Sequence, residues 1–323
     1  NRPLKARMRC EEALRRCFGV LVEEFLEIYR AAQEGTPPQL PTVRPYRDFI
    51  DWLSTQDQTG AEAYWQEYLR GFERTTGLGH RSKAAQRDEA FSLARTSVTL
   101  TPARTQAIYD RCRQWHVTPS LFLQTAWALL LARYNYTQDV VFGKTVAGRP
   151  PELEGIEQMT GLFVNTIPVR LQYRGEQSFL DLLRQQQAEF LDSQPHHYCA
   201  FTKIQKQSVL QQGLLDHSFV VQNVADAARR ATARGLRNIT GEVSALEHDN
   251  FDLCVVAYTA DQINIDLEYN ARAFDAAYMD NVARHLDGLL DRVMAEAEAP
   301  IASWSLIRPN EGHFISQINA TQR

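Results

Sequence analysis

Apolar residues in the first seventy positions recur at three- and four-residue steps, which is the spacing of amphipathic helices. The pattern predicts three helices, over about residues 14–34, 46–53 and 64–71. Gly35 and the Pro37–Pro38 pair end the first of them, and Gly71 ends the third. The start of the chain is therefore predicted to be mainly helical.

The pattern changes after residue 90. Residues 73–90 are polar and predict a linker or crossover loop. Thr118 and Pro119 form a helix start, and the helix that follows is apolar on most sides, which predicts burial. Other helices are predicted over about 102–116, 178–193 and 275–296, and strands over about 92–100, 139–146, 162–171, 218–223, 251–258 and 263–269. This alternation predicts an α/β fold of the two-layer α+β type.

Composition adds limits on partners and location. The 323 residues allow one or two domains, and 44% apolar with 23% charged residues is ordinary for a globular protein. A net charge of -4 favours neither nucleic acid nor an anionic membrane. No apolar run reaches the roughly 18 residues of a membrane span and no signal peptide is visible, so a cytoplasmic location is expected. The 5 cysteines are odd in number and lack Cys-x-x-Cys spacing, which favours reduced thiols.

The histidines give weak signals for catalysis. His196–His197 is not followed by the Asp-Gly that a catalytic motif would need, so we interpret it as a structural loop. The pairs Asp216–His217 and His248–Asp249 are adjacent, and neighbouring side chains on a strand point to opposite faces. Without a Gly-x-Ser-x-Gly elbow, a cluster of metal ligands or a Gly-rich phosphate loop, the sequence predicts no metal site and no serine-type hydrolysis.

Several segments in order carry a family resemblance. They are Tyr46-Arg-Asp-Phe-Ile-Asp-Trp52, the apolar run of residues 118–134, Asp139-Val-Val-Phe-Gly143, Gly148-Arg-Pro150, Gly161-Leu-Phe-Val-Asn-Thr-Ile-Pro-Val-Arg170, Phe219-Val-Val-Gln-Asn223, Phe251-Asp-Leu253 and Leu267-Glu-Tyr-Asn270. On these segments the chain resembles the C-terminal two-thirds of a condensation domain from a nonribosomal peptide synthetase. The tail Ile318-Asn-Ala-Thr-Gln322 resembles the linker that leads into an adenylation domain.

The resemblance implies a fold, partners and a domain plan. Its fold has two lobes similar to chloramphenicol acetyltransferase, with a tunnel between them. Donor and acceptor peptidyl carrier proteins dock at the two mouths, and their phosphopantetheine arms deliver a thioester and an amine. The domain itself binds no cofactor, and an adenylation domain adjoins it. By this plan residues 1–17 are an atypical segment, 18–89 a remnant of the N-lobe and crossover, 90–305 the C-lobe, and 306–323 the linker toward the adenylation domain. The helices of the N-lobe remnant are then expected to need a sheet that the chain lacks.

The resemblance also exposes a missing motif. The family's His-His-x-x-x-Asp-Gly segment falls on residues 9–15, where Cys10 occupies the place of the second histidine, Leu14 that of the aspartate and Arg15 that of the glycine. Three interpretations stay open. The first 17 residues could be a fragment or frameshift product foreign to the fold, the chain could be a non-catalytic binding module, or Cys10, Glu11 or Glu12 could act as the base.

Three residues of the C-lobe are candidates for the substrate tunnel. By resemblance, Arg149 pairs with the motif aspartate, whose place Leu14 takes, so Arg149 either faces solvent as a turn residue or pairs with Glu11 or Glu12. Asn165 and Thr166 lie in the strand that lines the tunnel in the family. Asn165 is expected to face the tunnel, with a purely backbone-ordering role as the alternative.

Overall fold

The computed structural model describes residue 20 and residues 24–79, 91–222 and 251–304. Six strands from these parts of the chain form one mixed sheet in the order β1-β6-β5-β4-β2-β3. Strand β4 runs parallel to β2 and β5, and the other neighbours are antiparallel. The strands are β1 (Leu93–Thr99), β2 (Asp139–Val146), β3 (Asn165–Gln172), β4 (Ser218–Gln222), β5 (Leu253–Tyr258) and β6 (Asn264–Asn270). The single sheet with its helices confirms the predicted α/β fold class.

The helices begin where the sequence places capping side chains. Thr118 accepts a hydrogen bond from the Leu121 N–H and is followed by Pro119, and Ser178 forms a capping box with Asp181. In chain order they are α1 (24–34), α2 (Tyr46–Ser54), α3 (Gln58–Tyr68), α4 (Pro102–Trp115), α5 (Pro119–Tyr134), α6 (Phe179–Ser193), α7 (Phe201–Gln207) and α8 (Ala276–Glu296).

Two local predictions need correction. The strand predicted from Leu162 starts at Asn165, because residues 161–164 belong to a loop held by α2. Helix α7 was not predicted, since its 7 residues form too short a stretch for a helical period to be recognised.

The main core lies on one face of the sheet. Every residue from Leu121 to Ala132 in α5 is buried, which confirms the predicted buried helix. The helices α6 and α8 flank it, and the apolar side chains of β1, β5 and β6 that point to this side complete the core. Burial of this kind is worth about 25 cal/mol per Å² of apolar surface and is the main source of stability.

A second core covers the opposite face at β2 and β3. Trp65 of α3 is fully buried there, and its indole N–H donates to the His196 carbonyl at 3.2 Å. The cluster consists of Ala61, Trp65, Leu69, Phe72, Val141, Ile167, Cys199, Ile204, Leu214 and Leu215. The expectation that the early helices need a sheet that the chain lacks is therefore wrong for α3, because it packs on this sheet.

The segment predicted as a linker after residue 72 is also part of the fold over residues 73–79. The Thr76 hydroxyl donates to the Val141 carbonyl at 2.8 Å and accepts from the Val141 N–H at 3.0 Å. Leu78 is buried in the main core. Residues 80–90 lie outside the described residues, so the placement of the domain boundary at residue 89 stays a prediction.

Strand β3 forms one edge of the sheet, and side chains cover its outer hydrogen-bonding groups. The Tyr68 hydroxyl accepts from the Arg170 N–H at 2.7 Å, and the Gln186 amide donates to the Arg170 carbonyl at 2.8 Å. The Arg170 guanidinium binds both carboxylate oxygens of Asp139, at 2.9 and 2.7 Å, and the carbonyls of Tyr68 and Arg70. Coverage of the edge at Arg170 hinders pairing with another strand at this position.

None of the helices in the described parts of the chain has the length and hydropathy needed to cross a membrane. The helix α1 does leave apolar side chains in solvent: Phe25 is 64% exposed, and Ile28 and Tyr29 are also exposed. Phe18 and Val22, which belong to the same predicted stripe, lie outside the described residues.

We predict that Trp65→Ala lowers the free energy of unfolding by about 3–5 kcal/mol, because it empties the centre of the second core. Urea unfolding followed by circular dichroism measures the loss. Val209→Ala is the control, since Val209 is 76% exposed, and should change stability by less than about 0.5 kcal/mol. A loss below about 1 kcal/mol for Trp65→Ala would show that α3 contributes little to the stability of the sheet.

We also predict that the chain self-associates through the exposed apolar side of α1. A large apolar side chain left in water forfeits roughly 1.5–3 kcal/mol, and a dimer is the simplest cover. Light scattering at micromolar concentration should report dimers or larger species, and Phe25→Asp should shift them toward monomer. Val209→Asp places the same charge at an exposed apolar side chain outside α1, and should leave the distribution unchanged. A parent chain that is monomeric and binds no hydrophobic dye would contradict the prediction.

Candidate functional site

The predicted site residues lie at the end of β2 and the start of β3, where the loops 147–163 and 194–201 come together. The Gly148 backbone adopts φ +54°, and a Cβ at this position would lie 1.8 Å from the Phe163 carbonyl oxygen. Only glycine therefore fits this turn. The two ends of the loop 147–163 therefore lie close together at this point.

Arg149 holds that loop from inside. Its guanidinium donates to the carbonyl oxygens of Ile156 and Met159, the latter at 3.0 Å, and its carbon lies 4.0 Å from the centre of the Phe163 ring. The side chain is half-buried. These contacts do not fit the interpretation of Arg149 as a turn residue that simply faces solvent. Leu14, Glu11 and Glu12 lie outside the described residues, so the predicted pairing with that segment stays a prediction.

The Tyr46-to-Trp52 segment packs against the same loop. The Tyr46 hydroxyl donates to the Leu162 carbonyl at 2.7 Å, and a Cβ on Gly161 would lie 2.1 Å from the Tyr46 ring. Phe49 and Phe163 meet edge to face, with ring centres 4.8 Å apart. Two motifs that are more than a hundred residues apart in the sequence therefore form one aromatic cluster.

Asn165 joins β3 to the loop 194–201. Its side-chain NH₂ donates to the carbonyls of His197 at 2.8 Å and Cys199 at 2.7 Å, and its oxygen accepts from the Phe201 N–H at 3.3 Å. Three backbone groups thus occupy the amide, which supports the backbone-ordering role. Thr166 is half-buried, and its methyl group lies 3.2 Å from the position a Cβ on Gly143 would take. The assignment of Asn165 and Thr166 to the tunnel lining stays a prediction.

The two adjacent histidines have different surroundings. The His196 ring stacks on Tyr64, with ring centres 4.2 Å apart. The His197 Nε2 lies 3.0 Å from the Ser193 hydroxyl. Burial, helped by the nearby Lys144 ammonium and by His196, lowers the pKa of His197 to about 4. His197 is therefore neutral at pH 7. These contacts are in keeping with the interpretation of the pair as a structural loop.

Lys144 is a residue of this region that sequence reasoning missed. It is half-buried on β2, and its Nζ lies 4.4 Å from the centre of the Phe190 ring. Burial lowers the pKa of Lys144 to about 8. The signal that could have found it was a single lysine in the otherwise apolar run Val140-Val-Phe-Gly-Lys-Thr-Val146.

The pair Asp216–His217 corrects another expectation. The two residues lie in the loop before β4 rather than on the strand, and Nδ1 of His217 is 3.9 Å from Oδ2 of Asp216. They therefore face each other, although that separation exceeds a hydrogen bond. The His217 ring is fully buried and its Nε2 accepts from the Trp127 indole N–H at 2.8 Å. The histidine is thereby fixed in the core. His248 and Asp249 lie outside the described residues.

The geometry favours loop ordering over bond-making chemistry. No group of three or more histidine, cysteine or acidic side chains within the described ranges could hold a metal ion. Cys10 and Leu14, at the motif positions, lie outside those ranges.

The Condensation domain family model matches residues 16–315. The chain belongs to the condensation domain family. It is 33% identical over 301 residues to surfactin synthase subunit 3 of Bacillus subtilis (strain 168), covering 93% of this chain and 23% of that protein. To gramicidin S synthase 2 of Brevibacillus brevis it is 34% identical over 273 residues, covering 84% of this chain and 6% of that protein. The chain thus spans less than a quarter of the length of these relatives.

Solved structures agree on the fold of this condensation domain. The X-domain from teicoplanin biosynthesis superposes with a TM-score of 0.73 at 20% identity, over 90% of this chain and 68% of that chain. The first condensation domain of the calcium-dependent antibiotic synthetase superposes with a TM-score of 0.72 at 16% identity, over 91% and 66%. Both confirm the chloramphenicol-acetyltransferase-like fold that the resemblance implied.

We predict that His197 makes folding of this domain sensitive to acid. Its pKa is about 4 in the folded chain and about 6.5 when unfolded, so between these values the unfolded chain binds more protons. Stability is thus lost as the pH falls through this window, by about 2 kcal/mol at pH 4.5 from this residue. His197→Gln keeps an N–H for Ser193 and should reduce the loss in urea unfolding at pH 7 and 4.5.

The control is His116→Asn, an exchange at an exposed helix end where asparagine tolerates the φ of 57°. This variant should show the same acid loss as the parent chain. An unchanged acid loss in His197→Gln would mean that another group carries the sensitivity.

Proposed function

We propose that this chain is part of a nonribosomal peptide synthetase, in a fold suited to amide bond formation between carrier-bound aminoacyl or peptidyl thioesters. We further propose that the chain as it stands does not catalyse that reaction. Its partners would be donor and acceptor peptidyl carrier proteins, whose phosphopantetheine arms bring the substrates, and an adjoining adenylation domain. The domain itself would hold no cofactor.

One observation carries the family function. The packing of Tyr46 on Gly161 and the bonds of Asn165 to the loop 194–201 bring two separate motif regions and that loop into one ordered region. Arg149 adds internal bracing to the same region. A docking surface for large partners must keep its shape. The order at the end of β2 and the start of β3 therefore supports the proposal that partners dock there.

The chemistry of the family explains why such order matters. An amine attacks the thioester, a tetrahedral oxyanion forms, and the carrier thiol leaves. Arms that confine both reactants can supply about 7–11 kcal/mol through proximity in well-oriented systems. A general base contributes typically about 10²–10⁴-fold, so confinement would be the larger factor.

The proposed inactivity rests on residues 9–15, where Cys10 and Leu14 replace the histidine and aspartate of the motif. Among the described residues, none is an evident substitute for the histidine of the motif. His217 is buried in the core as an acceptor for Trp127, and His197 is hydrogen-bonded to Ser193. Neither of these two histidines would thus serve an amine nucleophile as a base of the family's kind.

A second candidate function is a binding module that docks carrier proteins or recruits a tailoring enzyme. The observation in its favour is the superposition on the teicoplanin X-domain, which is also known as a complex with OxyB. This candidate needs an ordered surface and no catalytic base, and the loops around Arg149 and Asn165 would serve it equally well.

We predict that the purified chain forms no dipeptidyl thioester above background when it is mixed with aminoacyl-loaded donor and acceptor carrier proteins. Mass spectrometry of the acceptor carrier gives the yield, and an intact condensation domain with its His-His-x-x-x-Asp-Gly motif is the positive control. Turnover comparable with that control would contradict the proposed inactivity. In that case Cys10→Ala would test whether the thiol has taken over as base.

Calorimetric titration with loaded carrier proteins tests docking, and affinity without turnover is expected of the inactive chain and of the docking module alike. A complete loss of affinity would contradict the docking of carrier proteins in either function. A His-His-x-x-x-Asp-Gly motif in the gene upstream, read in all three frames, would instead make the chain a piece of an enzyme.

A further inference from the structure

Strand β1 is the second edge of the sheet, and its outer hydrogen-bonding groups are open. The Leu100 N–H donates to the Ile263 carbonyl at 3.0 Å, just past the end of the strand. Just before its start, the Ser92 carbonyl accepts from the Ala271 N–H at 2.7 Å. Backbone groups alternate in direction along a strand, so the even-numbered residues of β1 bond to β6 and the odd-numbered residues point their N–H and carbonyl groups outward. Within the described ranges, no hydrogen bond reaches these outward groups.

The devices that usually protect such an edge are missing from β1. The strand contains no proline, and all of its residues pair with β6 without a bulge. Its one charged residue, Arg95, is turned back over the sheet, since its guanidinium lies 2.7 Å from the Glu268 carboxylate and 3.5 Å from the Asp266 carboxylate on β6. The other edge of the sheet is covered by side chains at Arg170. Strand β1 is therefore a template on which a further extended strand can pair.

The outward groups are arranged symmetrically about Thr96. They belong to Leu93, Arg95, Ser97 and Thr99. An antiparallel pairing around a two-fold axis at Thr96 puts Leu93 opposite Thr99 of a second copy. The same register puts Arg95 opposite Ser97 of that copy. Every outward N–H and carbonyl of both strands then has a partner, whereas a shifted register leaves some of them unpaired.

Charge also favours a second copy as the occupant. On β6 the carboxylates of Asp266 and Glu268 outnumber the single guanidinium of β1. The Ser97 hydroxyl donates to Asp266 at 2.7 Å, and its oxygen has lone pairs left for a further hydrogen bond. In the register about the two-fold axis, the Arg95 guanidinium of one copy lies beside this hydroxyl, in the row that leads to Asp266 of the other copy. No like charges then lie directly opposite each other.

We propose that β1 is an interaction edge at which two copies of this chain pair antiparallel, with the two-fold axis at Thr96. The contact joins the six-stranded sheets of the two copies into one continuous sheet. A helix or a loop does not fit this edge, because only an extended backbone repeats its N–H and carbonyl groups at the required spacing. The pairing is independent of the proposed function, and it uses a different element from the association predicted for α1.

The decisive measurement is amide hydrogen exchange in the full chain carrying Phe25→Asp, which suppresses association through α1. Mass spectrometry reads the exchange residue by residue, from low to high micromolar concentration. The outward amides of Arg95 and Ser97 should exchange several-fold more slowly at high concentration, as pairs form. The amides of Thr96 and Val98 point toward β6 and should not change. Outward amides that exchange at one rate at all concentrations would overturn the proposal, and a slow constant rate would mean that the edge is covered within one chain.

A matched pair of variants in the same background tests the backbone bonds. Ser97→Pro removes an outward N–H without breaking a bond to β6. It should raise the dissociation constant of the pair, measured by sedimentation, at least about tenfold. Ser97→Ala loses the same hydroxyl but keeps the N–H, so it should retain most of the affinity. Equal affinity of the two variants, with circular dichroism showing both folded, would count against pairing through the backbone.

Cross-linking tests the register without weakening the contact. Thr96→Cys should form a disulfide with its own copy under mild oxidation, because the Cα atoms of such a facing pair lie about 4.5 Å apart, within the reach of a disulfide. Thr99→Cys is the control, since in this register the two copies of position 99 lie at opposite ends of the contact. Peptide mapping identifies the linked residues. Absence of the link at position 96, or a link at position 99, would overturn the two-fold pairing at Thr96.

Discussion

The structure depends on one helix that has no polar side. All residues from Leu121 to Ala132 in α5 are buried, so every side of that helix must be covered by another element. The sheet covers one side, and α4, α6 and α8 cover the others. The helix also fixes the loop before β4, because the Trp127 indole donates to His217 at 2.8 Å. A helix of this kind forces the layered arrangement, since exposing it would forfeit the largest favourable term in folding.

Two of the strands that pack on α5 carry the candidate site, at the end of β2 and the start of β3. The edge strand β3 has its outer N–H and carbonyl groups at Arg170 covered by Tyr68 and Gln186. At the start of this strand the Asn165 side-chain NH₂ donates to backbone carbonyls, and in the neighbouring loop so does the Arg149 guanidinium. Fixed loops, rather than a preassembled set of acids and bases, are what this part of the condensation fold provides. Such a design suits the proposed function, in which the reactants would arrive on the arms of other proteins.

Lys144 and His197 have less favourable surroundings than these residues. Both are potential cations, neither forms an ion pair with a carboxylate within the described ranges, and burial lowers the pKa of both. An arrangement that lowers stability in this way often marks a position where chemistry or binding is selected. The Phe190 ring offsets part of the loss through its negative face.

The sequence by itself determined the elements. Strand periodicity and the caps at Thr118 and Ser178 were enough to locate the six strands and the long helices, because both signals are local. The motifs also pointed to Arg149 and Asn165 as residues of interest. None of these signals says what a buried face will touch, so the docking of Trp65 on the sheet was missed.

Only the tertiary structure determined which residues contact one another. Asn165 meets His197, Cys199 and Phe201, which are 32–36 positions away in the sequence. Lys144 lies against the Phe190 ring of another element, and burial lowers its pKa. Desolvation depends on what surrounds a group in space, and the pattern along one strand does not contain that information.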